Sequence, residues 1–202
     1  SSDVCSSDLG YVYAEEGIYV DVALLDVASM HPTSIECLNL FGDRYTKRFS
    51  EIKQARVAIK HHDDETARAL LDGALVPFLE EGVDYEALAF ALKIVINSVY
   101  GLTAAKFANP FKDPRNVDNI VAKRGALFMV DLKHFVQEQG FDVAHIKTDS
   151  IKIPRATPEI IEKVMEFGKK YGYTFEHEAT YDRMCLVNKA VYVDYCDGHW
   201  SA

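Results

Sequence analysis

The sequence predicts an α+β fold in which an antiparallel sheet carries helices and a two-helix hairpin is inserted between its strands. Three observations predict it. Apolar, β-branched runs at 18–27, 151–153, 184–187 and 190–195 have strand length and composition. The middle third holds two long helix-forming stretches, 45–71 and 87–107. A turn, Thr148-Asp149-Ser150, separates the strand-like runs 141–146 and 151–153 and marks a hairpin tip.

Each element follows from its residues. Ser1-Ser2-Asp3-Val4-Cys5-Ser6-Ser7-Asp8-Leu9 has neither helical nor strand periodicity and looks like the translation of a sequencing-adapter scar. Segment 1–10 is therefore expected to be foreign to the fold. Run 18–27 is β-branched and apolar apart from Asp21, and Asp26 arrives at its end, as in a buried strand. Stretch 45–71 is rich in Lys, Arg, Glu and Ala without Pro or Gly, and reads as one long exposed helix closed by Gly73. A loop around Pro77 and Gly82 leads into 87–107. Prolines at 110 and 114 break the pattern before a third helix with Val121, Phe128, Leu132 and Phe135 on one face and Gly140 at its end. Thr157-Pro158 is a cap followed by a first-turn proline, opening a helix over 159–170 with Ile161, Val164 and Met165 inward.

With 202 residues, 49% of them hydrophobic, the chain can bury a sizeable core, and its formal charge of −9 argues against a module that grips nucleic acid by a basic surface. Cys5, Cys37, Cys185 and Cys196 have neither zinc-site nor disulfide-framework spacing, which fits a reduced intracellular setting. No apolar run approaches membrane-spanning length, so no membrane partner is expected. His61-His62-Asp63-Asp64 reads as a solvated helix face rather than a metal site.

The chemistry lies in three separated motifs, Asp26 to Ile35, Lys93 to Gly101 and Lys147 to Ser150. Phosphoryl transfer asks a protein for positioning and charge neutralisation, and two carboxylates are the least scaffold that holds a pair of Mg²⁺ ions roughly 4 Å apart. Asp26, the carbonyl of Val27 and Asp149 suit Mg²⁺, which keeps much of its shell for water and phosphate. Lys93, Asn97 and Tyr100 recur at helical spacing with Gly101 next, so one stripe offers a cation, an amide, an aromatic ring and bare backbone. Arg56 and Lys60, four apart, add charge from the preceding helix.

Together these residues resemble motifs A, B and C of the family B DNA polymerases, bacteriophage members in particular, over about 11–195. The resemblance implies a polymerase palm with an inserted fingers hairpin, expected as a first palm segment over 11–43, fingers over 44–115 and a second palm segment over 116–202. It implies deoxynucleotide addition to a primer 3′ end, with Asp26 and Asp149 catalytic and two Mg²⁺ ions held by Asp26, Val27 and Asp149. Ser29, Met30, His31, Arg56, Lys60, Lys93, Asn97 and Tyr100 become nucleotide contacts. Gly101, Lys189 and Tyr192 become DNA contacts. The implied partners are primer-template DNA and deoxynucleoside triphosphates, and the implied setting is the cytoplasm of an infected bacterial host. The exonuclease motifs and a thumb are missing, so the chain is expected to be a piece of a longer enzyme.

Three positions depart from the family pattern. His31 stands where a Tyr usually packs beneath the sugar, Lys147 replaces the first Asp of motif C, and Lys189-Ala190-Val191-Tyr192 is one residue wider than the family's Lys-x-Tyr. Two rival readings stay open: a polymerase-like domain that binds nucleotide or DNA without turnover, and another palm-type nucleotidyl transferase such as a primase or reverse transcriptase.

Overall fold

A computed structural model of the chain describes residues 4–6, 10–116 and 119–202. The chain runs β1 (Val4–Ser6), β2 (Gly10–Ala14), β3 (Gly17–Val27), α1 (Met30–Cys37), α2 (Gly42–Lys60), α3 (Asp64–Ala69), α4 (Tyr85–Thr103), α5 (Ile120–Glu138), β4 (His145–Lys147), β5 (Ser150–Ile153), α6 (Pro158–Lys170), β6 (Phe175–Leu186), β7 (Tyr192–Cys196) and β8 (His199–Ser201). Short 3₁₀ turns lie at Leu70–Gly73, Val76–Phe78 and Pro114–Asn116. Two compact units result: Ser1–Met30 with Ala122–Ala202, and His31–Val121 between them in sequence. The junctions fall at 30/31 and 121/122, against the expected 43/44 and 115/116. Hydrophobic packing explains the shift, because Ile35 and Leu40 from the motif A side and Val121 from α5 bury with Phe49 and Ile96.

The first unit is built on a sheet of eight strands among the described residues, in the order β1-β2-β4-β5-β3-β6-β7-β8, every neighbouring pair antiparallel. Alternation along the strands separates its two faces. Leu25 and Val27 of β3, Ile146 of β4, and Ile151 and Ile153 of β5 bury against Phe128, Met129, Leu132 and Val136 of α5 and Ile160 and Val164 of α6. Each such side chain contributes about 1.5–3 kcal/mol on burial, so this face dominates the unit's stability. The opposite face has a smaller apolar cluster, Val22, Ala144, Met184 and Leu186, beside buried His145, Lys152 and Asp194.

The second unit is helical. Ala55, Ala58 and Ile59 of α2 pack against Ala89 and Leu92 of α4, with Ala67, Leu75 and Leu79 closing the cluster. Lys53 ties α2 to α1 by donating to Thr33 Oγ1 at 3.0 Å and to Glu36 Oε2 at 2.8 Å.

Several elements differ from the sequence-based expectation, each for a local reason. The helix expected over 45–71 breaks after Lys60, since His62 adopts φ 55° and Asp63 caps a new helix by accepting the Thr66 N–H at 3.1 Å. His61-His62-Asp63 is thus a turn that leads into α3 at Asp64 rather than a continuous helix face, with the His62 ring stacked on Tyr85 at 4.1 Å. The next helix starts at Tyr85, capped by Asp84, and ends at Thr103. Of the run 141–146 only His145 and Ile146 form strand, in β4. β6 begins at Phe175, well before 184, because it pairs along the whole of β3, while acidic Glu176, Glu178 and Asp182 at exposed positions mask its period in the sequence. In α6 the buried residues are Ile160, Val164 and Gly168, with Ile161 and Met165 partly buried beside them.

The segment expected to be foreign also enters the fold: Val4–Ser6 pairs with β2, and Gly10 starts that strand. By length and composition α4 could cross a membrane, which corrects the absence read from the sequence; it nevertheless buries Ala89, Leu92 and Ile96 within the second unit.

At the end of α6 a Cβ added to Gly168 would lie 2.7 Å from Phe175 Cδ2 and 3.1 Å from the Tyr173 carbonyl oxygen. Gly168→Ala is expected to cost about 1–3 kcal/mol in denaturant unfolding through overpacking; an unchanged midpoint would contradict this close approach.

Candidate functional site

The first unit brings Asp26 and Asp149 together through its backbone. Asp26, near the end of β3, is in register with Ser150 of β5 and with Glu176 of β6. The β4–β5 tip is fixed on two sides: Val27 N–H donates to the Asp149 carbonyl at 2.8 Å, and Thr148 N–H donates to the Tyr11 carbonyl at 2.8 Å. Thr148 sits at φ 55°, and Gly10 approaches it so closely that a Cβ there would meet Thr148 Cγ2 at 2.9 Å. Gly10 itself has φ 85°, so backbone freedom and close contact both call for glycine.

Asp26 shows the electrostatic consequence. Its pKa is pushed up to about 7, first by burial and then by the neighbouring carboxylates of Asp149, Glu178 and Glu176, with Lys152 pulling the other way. Glu178 enters this group at a β-bulge, where Leu24 pairs Ala179 and Leu25 pairs His177, leaving Glu178 between them without a register partner. Glu176, Glu178, Lys152 and His145 are site neighbours that sequence reasoning missed. The signal available was the alternation of acidic residues in β6.

A half-buried carboxylate held among like charges is a place where a divalent cation relieves a cost. Among the described residues no group of three or more His, Cys, Asp and Glu side chains forms a metal-ligating cluster. Two carboxylates with one carbonyl are still a donor set that fits Mg²⁺, which draws the rest of its shell from water and phosphate.

The remaining expected residues of this unit are spread around the pair. Ser29 lies in the turn after β3 with φ 52°. Met30 is buried in the α5 core, 3% exposed, so its side chain packs in the protein interior. Lys147 is exposed at the end of β4. The Lys189 carbonyl bonds His145 Nε2 at 3.0 Å, and the Tyr192 ring lies 4.2 Å from Lys152 Nζ.

The second unit carries the other expected contacts. Lys93 and Asn97 are exposed on α4, and Tyr100 follows on the same stripe. The His31 ring stacks on Tyr100 with centroids 4.5 Å apart and planes within 4°. Burial raises the Tyr100 pKa, so this is a neutral phenol on an imidazole. A Cβ at Gly101 would meet nothing within 4 Å, so the unit's own packing does not require glycine there. Glycine within a helix costs about 0.5–1 kcal/mol relative to alanine, and the chain bears that cost with open space above the backbone. Lys60 is exposed, while Arg56 is half-buried with its Nε lacking a hydrogen-bond partner among the described residues.

No protein-family model matches the chain, and no curated protein matches it. Among solved structures the chain is similar to the family B DNA polymerase from the hyperthermophilic archaeon Pyrobaculum calidifontis, with TM-score 0.64 and 16% sequence identity over 93% of this chain and 27% of that one. The fold is therefore that of a portion of a family B DNA polymerase, and the chain spans about a quarter of that neighbour's length.

The raised pKa has a direct consequence for stability. Between the ordinary value of 3.8 and about 7 the folded chain holds a proton that the unfolded chain has released, so stability falls as pH rises across that window. Asp26→Asn removes this term. Its melting temperature is expected to match the natural chain's below pH 4 and to exceed it by on the order of a few degrees at pH 8; a less stable variant at pH 8 would contradict the like-charge account.

Proposed function

We propose that the chain is the nucleotide-adding core of a DNA-directed DNA polymerase of family B, comprising palm and fingers regions. The reading rests above all on one observation: the Val27 N–H to Asp149 carbonyl bond and the Asp26–Ser150 register bring two carboxylates together, where burial and Asp149 push the Asp26 pKa up to about 7. An acidic pair of this kind is costly without a ligand, and cation-assisted phosphoryl transfer gives it a use.

In this reading Asp26 and Asp149 are the acidic pair, and Arg56, Lys60, Lys93 and Asn97 are the triphosphate contacts. Asp26, Asp149 and the Val27 carbonyl would hold two Mg²⁺ ions, which supply neutralisation of the charge that develops on attacking and leaving oxygens. Lys93 offers three donors to phosphate oxygens from an exposed helix position, and Asn97 offers an amide one turn on. Arg56, half-buried on α2, brings a guanidinium charge. Lys60, one turn away, adds a further charge. The primer 3′ oxygen would bond to the α-phosphorus as the bond to pyrophosphate breaks.

The planar His31–Tyr100 pair supports a base-pair and sugar contact. Because His31 is smaller than the usual Tyr, discrimination against a 2′-hydroxyl falls to a shorter ring. Gly101 leaves room for a nucleotide to approach the helix backbone. Lys189 and Tyr192 are assigned to the primer. The bacteriophage type and an infected bacterial cytoplasm rest on how the motifs are spelled.

The rival of a domain that binds without turnover is favoured by Lys147, a cation where the family has a carboxylate. Both are tested by following Mg²⁺-dependent deoxynucleoside triphosphate binding and primer extension with the natural chain and Asp149→Asn. The polymerase reading expects binding and extension by the natural chain, with extension reduced at least about a hundredfold in the variant. Binding without extension would establish the rival, and absence of both would overturn the assignment.

A further inference from the structure

Lys152 and His145 are buried charges or potential charges with no task in the proposed reaction. Lys152 is 3% exposed and His145 1%, on the sheet face that carries Asp26. Burying a lysine is expensive unless its protons are placed, and burial accordingly lowers the pKa of both groups.

Their protons are placed in a chain. Lys152 Nζ lies 3.3 Å from His145 Nδ1, and His145 Nε2 lies 3.0 Å from the Lys189 carbonyl. A carbonyl only accepts, so Nε2 carries the imidazole hydrogen and donates it, leaving Nδ1 to accept from Lys152. This fixes one tautomer. The same Nζ sits 4.2 Å from the centroid of the Tyr192 ring, a cation–π contact strengthened by exclusion of water.

The two ends of this chain are in different elements. His145 and Lys152 face each other across the β4–β5 hairpin, whose tip is Asp149. Lys189 and Tyr192 belong to the β6–β7 connection, a turn closed by Val187 N–H donating to the Val191 carbonyl at 3.0 Å and by Asn188 Oδ1 accepting from Ala190 and Val191 at 2.8 and 2.9 Å. β4 and β7 are not neighbours in the sheet, since β5, β3 and β6 lie between them. Among the described residues no direct strand pairing therefore holds the turn to the hairpin, and the side-chain chain does so across the face.

We propose that Lys152 and His145 are positioning residues that lock the Lys189–Tyr192 turn to the hairpin bearing Asp149, so that a nucleic-acid 3′ end held by the turn meets the carboxylate pair at a fixed distance. This rests on the polymerase reading for its purpose and on the geometry alone for the lock. It also gives a use to a turn one residue wider than the family spacing: the carbonyl of Lys189 is available to His145.

The test compares His145→Leu, which removes both hydrogen bonds, His145→Gln, which can keep a donor and an acceptor, and Lys152→Met, which keeps the stem and removes the charge. Hydrogen exchange at the Val187 and Val191 amides reads the lock without any activity. Loss of the bonds is expected to speed exchange about tenfold in His145→Leu and Lys152→Met, with His145→Gln close to the natural chain. In primer extension the first and third variants are expected to raise the KM for primer-template about tenfold while leaving the KM for the nucleotide within about twofold.

Unchanged exchange in folded variants would overturn the lock while leaving the polymerase reading intact. Faster exchange with equal effects on both KM values would overturn the positioning role. A natural chain that extends no primer would overturn the proposed purpose together with the polymerase reading, whatever the exchange shows. If His145→Leu fails to fold, Lys152→Met against His145→Gln decides the same outcomes.

Discussion

The hydrogen bond from Val27 N–H to the Asp149 carbonyl is the contact on which the candidate site depends. Without it the end of β3 and the tip of the β4–β5 hairpin would be two strand termini with an acidic residue each. With it, and with Asp26 in register with Ser150, the two carboxylates are forced into one another's field. The fold then maintains an unfavourable local charge arrangement through backbone geometry, with the apolar packing of the opposite face supplying the stability that sustains it. Leu25 and Val27, one residue to either side of Asp26, anchor that packing. A single strand thus alternates between core and chemistry, and a slip of one residue would exchange the two.

The tip itself is held by a second clamp. Gly10 and Tyr11 press and bond against Thr148, so the positive φ at that residue is sustained by neighbours on another strand. The second unit shows the same economy in helical form. His31 and Tyr100 are far apart in its sequence and meet as parallel rings, and Arg56 keeps an N–H without an acceptor among the described residues. The open space at Gly101, which the unit's own packing does not explain, falls at a position expected to meet DNA.

Much of this was legible in the sequence because it depends on local periodicity. The strand ending in Asp26, the cap at Thr157, the helix 85–103 to within a few residues and the tip at Asp149 all follow from apolar spacing and turn chemistry. The helix break at His62 was not legible, since a competing cap at Asp63 outweighs good helix-forming composition. β6 is hidden in the sequence because its pairing with β3 is a tertiary effect laid over a charged stretch, and Glu176 and Glu178 are hidden with it. The Lys152–His145–Lys189 chain joins residues from separate strands and carries no motif. Met30 has a nucleotide contact's place in motif A, and the packing of its side chain in the α5 core carries no sequence signal of its own.

The most direct test of the central claim is a carbon NMR titration of the Asp26 carboxyl in the natural chain and in Asp149→Asn, each without and with Mg²⁺. The account predicts a midpoint at about 7 in the natural, metal-free chain, a lower midpoint when Asp149 is neutralised, and a lower midpoint again when Mg²⁺ is added to the natural chain. A midpoint at the ordinary 3.8, indifferent to Asp149 and to Mg²⁺, would show that the two carboxylates do not form a site.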